Sequence, residues 1–173
     1  MLTQLHFKSL SSTQSKIYEV LKRSNYNALS ISADTQSNGY GQKDRKWESQ
    51  KGGIYISISI KYKKKYIPDL SLKIAHRLAT FLNQKFNIET KLKYPNDILL
   101  NKKKIAGILS EIKKINDKWY LIIGLGININ QSTFSNPLSP NVISMHQYTK
   151  EVYNLTKIRV EIIEEMHKIL SNF

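Results

Sequence analysis

The sequence predicts an α+β fold, a mixed and largely antiparallel sheet flanked by helices, on three observations. Segments with strand-like alternation cluster in the middle of the chain, helical periodicities lie on either side of them, and the connections between strands are too short for repeated βαβ crossovers. A length of 173 residues, 40% hydrophobic and 23% charged, suits one domain spanning residues 1–173 with a core of its own.

The elements follow in order. Residues 13–24 carry Ile17, Val20 and Leu21 at helical spacing, and Ser11, Ser12 or Thr13 can supply the capping oxygen. Residues 29–33 alternate briefly. Residues 54–60 alternate isoleucine with Tyr55, Ser57 and Ser59, the period of two that marks a half-buried strand. Between residues 69 and 86, Leu70, Ile74, Leu78 and Leu82 recur every fourth position beside Ala75 and Ala79, giving a core-facing helical stripe whose start is marked by Pro68 and Asp69. Strands follow at residues 88–94, 97–100, 105–112 and 118–128, with a turn at 101–103, and their short connections imply hairpins. Residues 156–173 return to helical spacing through Ile158, Ile162, Met166 and Ile169 or Leu170.

Composition removes several classes of chemistry. There is no cysteine, so disulfides, thiolate metal sites and cysteine nucleophiles are excluded, and His6, His76, His146 and His167 are the only imidazoles, which argues against a zinc site. No run of eighteen apolar residues occurs, and residues 1–10 lack a basic-then-apolar leader pattern, so the expectation is a cytoplasmic chain with no membrane partner. The net charge of +14 raises the question of nucleic acid. Only Arg23, Arg45, Arg77 and Arg159 among the 27 basic residues are arginine, and the run Lys61-Tyr-Lys-Lys-Lys-Tyr66 reads as a solvated basic turn, so no DNA partner is expected.

All seven glycines (Gly39, Gly41, Gly52, Gly53, Gly107, Gly124, Gly126) fall in the middle of the chain, and three of them interrupt otherwise good strands, where a bulge or the close approach of another group is the physical reason for a missing Cβ. They mark three motifs. Residues 36–47, QSNGYGQKDRKW, form a polar loop with Lys43, Arg45, Lys46 and an indole, suited to an anion beside a flat ring, although a solvated basic loop has the same composition. Lys93-Tyr-Pro-Asn-Asp97, followed by Lys104-Ile-Ala-Gly107, brings a proline turn, a carboxylate and a lysine across one hairpin. Gly124-Leu-Gly-Ile-Asn128 closes a strand.

In this order and spacing the motifs resemble the catalytic domain of biotin–protein ligases, from Ser12-Thr13 to about Asn130 and more loosely through the last helix. The family usually has Lys-Trp-Pro-Asn-Asp where this chain has Tyr94. The resemblance implies ATP-dependent activation of biotin to biotinyl-5′-AMP with Mg²⁺, then transfer to a lysine of a biotin carboxyl carrier protein domain. It implies catalytic roles for Lys104, Arg45 and Asp97. It implies biotin contacts from Ser12, Thr13, Gln36, Gly39, Gly41, Lys104 and Gly107, and ATP contacts from Arg45, Lys46, Trp47, Lys93, Asn96, Gly126 and Asn128, with no resident metal ligands. Simpler readings stand beside these: Ser12 and Thr13 as helix caps, Trp47 as a core aromatic, Asp97 as a turn cap, and Lys104 as a solvated lysine like Lys102 and Lys103. Lipoate or octanoate ligases of the same fold are the nearest rival.

Departures from the family pattern carry their own expectations. The family loop commonly reads Gly-Arg-Gly-Arg-Arg-Gly-Arg, and Tyr40, Gln42, Lys43 and Asp44 stand for three arginines and a glycine. Fewer guanidinium forks imply weaker retention of an acyl-adenylate, and Asp44 in place of glycine implies a changed loop path. The chain opens on the catalytic region and closes on a helix, so the expectation is a minimal form without a DNA-binding or carboxy-terminal β domain. Family members often pair through sheet edges, which makes a homodimer one expected state.

Overall fold

A computed structural model describes residues 1–63, 67–135, 138 and 140–172. Along them run β1 (Leu2–Leu10), α1 (Thr13–Arg23), β2 (Ala28–Gln36), β3 (Gly53–Lys61), α2 (Leu70–Phe86), β4 (Thr90–Lys93), β5 (Asp97–Leu100), β6 (Lys103–Ile115), β7 (Lys118–Asn128), α3 (Met145–Thr149) and α4 (Leu155–Leu170). One seven-stranded sheet has the order β1-β2-β3-β7-β6-β5-β4. Among the described strands only β1 and β2 pair in parallel, so the mixed, mainly antiparallel sheet expected from the sequence is the one present.

Two elements were not foreseen. β1 pairs with β2 along Leu2↔Ala28 to Leu10↔Gln36, and α1 is the crossover between them, so the sheet owes its mixed character to one βαβ unit, while repeated crossovers are absent among the described residues as expected. α3 is closed by a capping box, in which Ser144 accepts from the Gln147 N–H and Gln147 reaches back.

Isoleucine spacing decides the layering. The isoleucines at 54, 56, 58 and 60 turn to one face and meet Ile74, Leu78 and Leu82 of α2 and Ile158, Ile162 and Met166 of α4 in the larger core. Each such side chain withdrawn from water contributes roughly 1.5–3 kcal/mol. On the opposite face Leu29, Ile31, Tyr120 and Ile122 pack beneath Ile17 and Leu21 of α1. The half-buried strand expected at 54–60 is therefore buried on both faces: Ser57 and Ser59 are fully buried, because α1 covers the side that the serines suggested was wet.

The hairpins owe their tightness to turn chemistry. Asn101 and Lys102 have φ of 49° and 63°, and Asn116 and Asp117 have 46° and 61°, the paired left-handed residues that match the twist of a two-residue hairpin. The strand expected at 88–94 contracts to Thr90–Lys93, because Asn87 ends α2 in the left-handed region and Asn83 Oδ1 holds the Thr90 N–H. Of the basic run after β3, Tyr62 is buried at 8% exposure in the larger core, so it offers no stacking face to a base, and residues 64–66 lie outside the described residues.

Candidate active site

A cavity of about 220 Å³ opens between the first turn of α1, the α1-side face of the sheet and the loop joining β2 to β3. Its floor is glycine. Gly107 on β6 stands directly across from Gly126 on β7, and the Trp47 indole lies against both: a Cβ at Gly107 would come within 2.8 Å of Trp47 Cζ3, and one at Gly126 would overlap the indole. Trp47 Nε1 is buried without a hydrogen-bond partner among the described residues. With the indole inside, the cavity is smaller than the ~300 Å³ at which ligand sites usually begin.

A β-bulge aims the lysine. Positions 104 and 107 differ by an odd number, so a regular strand would send their side chains to opposite faces. The register shifts at Ile98/Leu99, where Ala106 pairs with Ile98 but Lys104 pairs with Leu99, and the extra residue, Ile105, is absorbed into the core. Lys104 consequently shares the face of Gly107; its Nζ is 2.7 Å from Asp97 Oδ1 and 4.9 Å from the Trp47 ring centroid. The backbone of Lys104 is clamped on its other side, with its N–H on Asn141 O at 2.9 Å and its C=O accepting from the Ile143 N–H at 3.0 Å. Lys102 and Lys103 point elsewhere and do not line the cavity. Asn96 fixes the proline turn, which contains a cis Tyr94–Pro95 peptide, by donating through Nδ2 to Ile108 O at 2.8 Å while its own C=O accepts the Ile108 N–H.

At the α1 end, polar side chains form a connected set. Ser12 caps the helix by accepting the Ser15 N–H. Gln36 Oε1 accepts the Thr13 N–H at 2.7 Å and Gln36 Nε2 donates to Ser49 Oγ at 2.8 Å, so this amide ties the helix start to the loop. Ser57 Oγ lies 2.8 Å from Gln14 Oε1 and 3.0 Å from Thr13 Oγ1. Gln14 Nε2 donates to Glu111 Oε2 at 2.7 Å, and the Tyr18 hydroxyl donates to the same oxygen. Burial, and then the hydrogen bond and charge of Glu111, push the Tyr18 phenol far above its ordinary range, so it remains a donor.

The loop over the cavity is bonded to itself and to its surroundings. Asn38 N–H reaches Ser11 O, Trp47 N–H reaches Gly39 O and Gly41 N–H reaches Arg45 O, at 2.8–2.9 Å. Lys43 and Asp44 sit at φ of 56° and 55°. Asp44 thus takes up a left-handed conformation that glycine would adopt freely, at a strain of about 1–2 kcal/mol.

Eleven of the residues singled out in the sequence line this one cavity: Ser12, Thr13, Gln36, Gly41, Arg45, Lys46, Trp47, Asn96, Lys104, Gly107 and Gly126. Four do not. Gly39 is buried behind it, where a Cβ would strike Ser49, Gln36 and the Trp47 carbonyl. Asp97 reaches it only through Lys104. Lys93 is exposed on β4, paired with Asp97 through the backbone. Asn128 is buried and supports the following loop, donating to Ile143 O and accepting from Gln131 Nε2. Tyr40 and Gln42 of the altered loop line it as well, and Gln14, Ser57 and Leu138 do so without having been singled out. The serine alternation and the Ser-Thr-Gln run were visible in the sequence, but their meeting depends on β3 passing beneath α1. A more open apolar groove among Leu72, His76, Leu92 and Ile169 contains none of the expected site residues.

Comparison with known proteins gives the same outline. Residues 6–128 match the model of the Biotin/lipoate A/B protein ligase family. The bifunctional ligase/repressor BirA of Bacillus subtilis is 34% identical over 148 residues, covering 82% of this chain and 46% of that protein; BirA of Escherichia coli is 35% identical over 101 residues, 56% of this chain and 32% of that one. The chain thus spans about half the length, or less, of these curated relatives. The biotin protein ligase of Aquifex aeolicus, solved in complex with biotin and ATP, superposes with a TM-score of 0.84 at 29% identity over 99% of this chain and 71% of that one. The lipoate-bound LipL1 of P. falciparum, at 13% identity and a TM-score of 0.61, shares the fold. A matched segment covering most of the chain, carried on the same sheet with its lysine aimed into a glycine-floored cavity, establishes that this chain belongs to the biotin/lipoate A/B protein ligase family.

Proposed function

We propose that residues 1–173 act as one catalytic unit that activates biotin on ATP and passes the biotinyl group to a lysine of a carrier-protein domain. The observation that carries this reading is Lys104, turned by the bulge onto the glycine floor 2.7 Å from Asp97. Activation joins a biotin carboxylate oxygen to the α-phosphorus and breaks the bond to the β-phosphate oxygen, releasing pyrophosphate. Two anions must approach, so a fixed ammonium between them supplies transition-state stabilisation that water cannot match. Lys104 has that place, and Arg45 and Lys46 on the rim provide charge for the remaining phosphates. Ser12, Thr13 and Gln36 meet the neutral urea at the α1 end, and Trp47 leaves the glycines to cover the nucleotide. In the second step the carrier amine attacks the acyl carbon and AMP departs; Asp97, freed from Lys104, is placed to take the amine proton.

Mg²⁺ fits this site only as a companion of ATP. No group of three His, Asp or Glu side chains suited to a metal ion occurs among the described residues, so the phosphates would provide most of the ligands, with Asp97 as the adjacent carboxylate. The ion would neutralise phosphate charge. No described helix is long and apolar enough to cross a membrane. The +14 charge favours an acidic carrier domain by steering the encounter.

The test is acid-dependent ATP–pyrophosphate exchange with biotin, lipoate and octanoate in parallel. Exchange with biotin, lowered by roughly 10²–10³-fold in Lys104→Ala, supports the proposal. Exchange with lipoate alone moves the chain to the other branch of the family, and exchange with no acid refutes an adenylating role.

A further inference from the structure

The sheet face that carries the cavity is covered over only part of its width. The residues buried beneath α1, Leu29, Ile31, Tyr120 and Ile122, belong to β2 and β7, and no described residue of β4 or β5 joins them. Leu92, Ile98 and Leu100 pack into the larger core on the opposite face, so alternation turns Lys91, Lys93, Asp97 and Leu99 to the cavity side. Register ties these four to the site in two rungs. Lys93 stands across from Asp97 and Asp97 across from Gly107, while Lys91 stands across from Leu99 and Leu99 across from Lys104. The strip from the β4 edge to the glycine floor is thus one surface with the cavity mouth. Lys91 and Lys93 are exposed, Leu99 is half-buried, and neither lysine forms an ion pair among the described residues. Tyr94, at the turn joining β4 to β5, is 72% exposed, more than any other described aromatic. Asn96 holds that turn to Ile108 by two hydrogen bonds, so the ring is displayed on a fixed backbone.

An aromatic ring held in water on a fixed backbone leaves little ordering cost for a partner that covers it. The flanking charge defines that partner. Two lysines without carboxylates of their own suit an acidic protein surface, whereas a nucleic-acid track calls for guanidinium forks and successive stacking rings, and the strip has neither. Its inner end is Lys104 and Asp97, where the second half-reaction needs an amine from outside. We propose that Lys91, Lys93 and Leu99, with Tyr94 at their tip, form the docking surface for the acidic domain that carries the acceptor lysine. The inference rests on the function proposed above and adds the surface that selects its protein substrate.

The experiment compares wild type, Tyr94→Ala, Tyr94→Phe and Lys91→Glu in three assays: ATP–pyrophosphate exchange with biotin, trapping of the adenylate by hydroxylamine, and transfer to a purified biotin carboxyl carrier protein domain, with thermal melting as a check of folding. The first two assays need no carrier and should stay within about twofold of wild type in every variant, because these side chains touch only the docked domain. Tyr94→Ala should raise KM for the carrier domain by about tenfold or more with kcat little changed, the effect of truncating an anchoring aromatic, and Tyr94→Phe should restore it. Lys91→Glu, an exposed position that does not depend on the turn, should raise the same KM at low salt and approach wild type as salt increases. An unchanged carrier KM in both Tyr94→Ala and Lys91→Glu overturns the inference, as does a loss of exchange in Tyr94→Ala equal to its loss of transfer. Lys91→Glu that loses affinity for a duplex DNA of arbitrary sequence while keeping its carrier KM makes the strip a polyanion surface and also overturns it. Wild type that exchanges with biotin but transfers nothing to the carrier domain overturns the docking surface alone; wild type that exchanges with no acid overturns the functional reading beneath it.

Discussion

Asp97 and Lys104 form an ion pair across two adjacent strands, with Oδ1 and Nζ 2.7 Å apart, although the backbone partner of Asp97 is Gly107. The bulge brings a residue three positions removed back over the glycine. The pair retains about a quarter of its side-chain exposure, 27% for Lys104 and 21% for Asp97, so an incoming carboxylate or phosphate can displace Asp97 without having to unbury a sealed charge.

Removing the lysine should therefore separate catalysis from stability. Lys104→Ala is expected to lower ATP–pyrophosphate exchange by roughly 10²–10³-fold, the effect of deleting one positioned charge donor. Its unfolding free energy should shift by no more than about 1 kcal/mol, because a partly exposed pair contributes little. Exchange kinetics and urea melts measure the two quantities, and a variant with normal exchange would remove Lys104 from the mechanism.

Gly126→Ala tests the floor. The new methyl group would overlap the Trp47 indole, so Trp47 must leave, and in a Trp119→Phe background its emission should shift to the red. The crowding of roughly 1–3 kcal/mol that overpacking brings should weaken biotin binding by about tenfold or more. An unmoved emission spectrum would show that the indole does not rest on the glycines.

Gln42 lines the cavity at a position where arginine is usual in the resembling family. Gln42→Arg should retain the adenylate longer, slowing hydroxylamine-trapped leakage by about tenfold if one charge-assisted hydrogen bond of ~1.5 kcal/mol is restored. Equal leakage from both proteins would rule out the lost guanidinium as the cause.

A pH effect is expected far from the cavity. His6 joins Ser32 through Nδ1, while its Nε2 lies 3.2 Å from both Arg159 and Asp34. Burial first, and then the Arg159 charge, hold its imidazole below the ordinary value of 6.5 against the pull of Asp34. Above that value His6 is neutral in both states and contributes no slope. As pH falls through it the unfolded chain takes the proton first, so stability declines on acidification. His6→Gln should flatten this part of the profile in urea melts between about pH 5 and about pH 8; an unchanged slope would assign it to other groups.

What the sequence made legible was what is local. The alternation of 54–60, the stripe from Leu70 to Leu82 and the hairpins of 97–128 are written in neighbouring residues, and the structure places them within a few positions of the expected bounds. β1 escaped because only Leu5 and Phe7 alternate cleanly with exposed neighbours, and its partner β2 begins some twenty-six residues later in register. The site divides along the same line. Its motifs announced themselves, and most of their residues do meet, but the reversal of Lys104 depends on one extra residue in β6, and the link from Tyr18 and Glu111 to Thr13 draws on α1, β3 and β6 at once. Asn128 was read as a nucleotide contact on its motif alone, and it is occupied with Gln131 and Ile143.

The strand order has a consequence for how the chain assembles. β4 to β7 are linked by short turns and can form as a meander on their own, whereas β3 finds β7 only after the intervening residues 62–117 have closed into a loop, the slower kind of event in folding. Lys104, Gly107, Gly124 and Gly126 belong to the meander; Ser12, Gln36, Trp47 and Ser57 belong to the amino-terminal half. The cavity is the seam between two folding units. A molecule seated in it touches both and works as a removable stitch, so it should slow unfolding by holding shut the junction that was last to form.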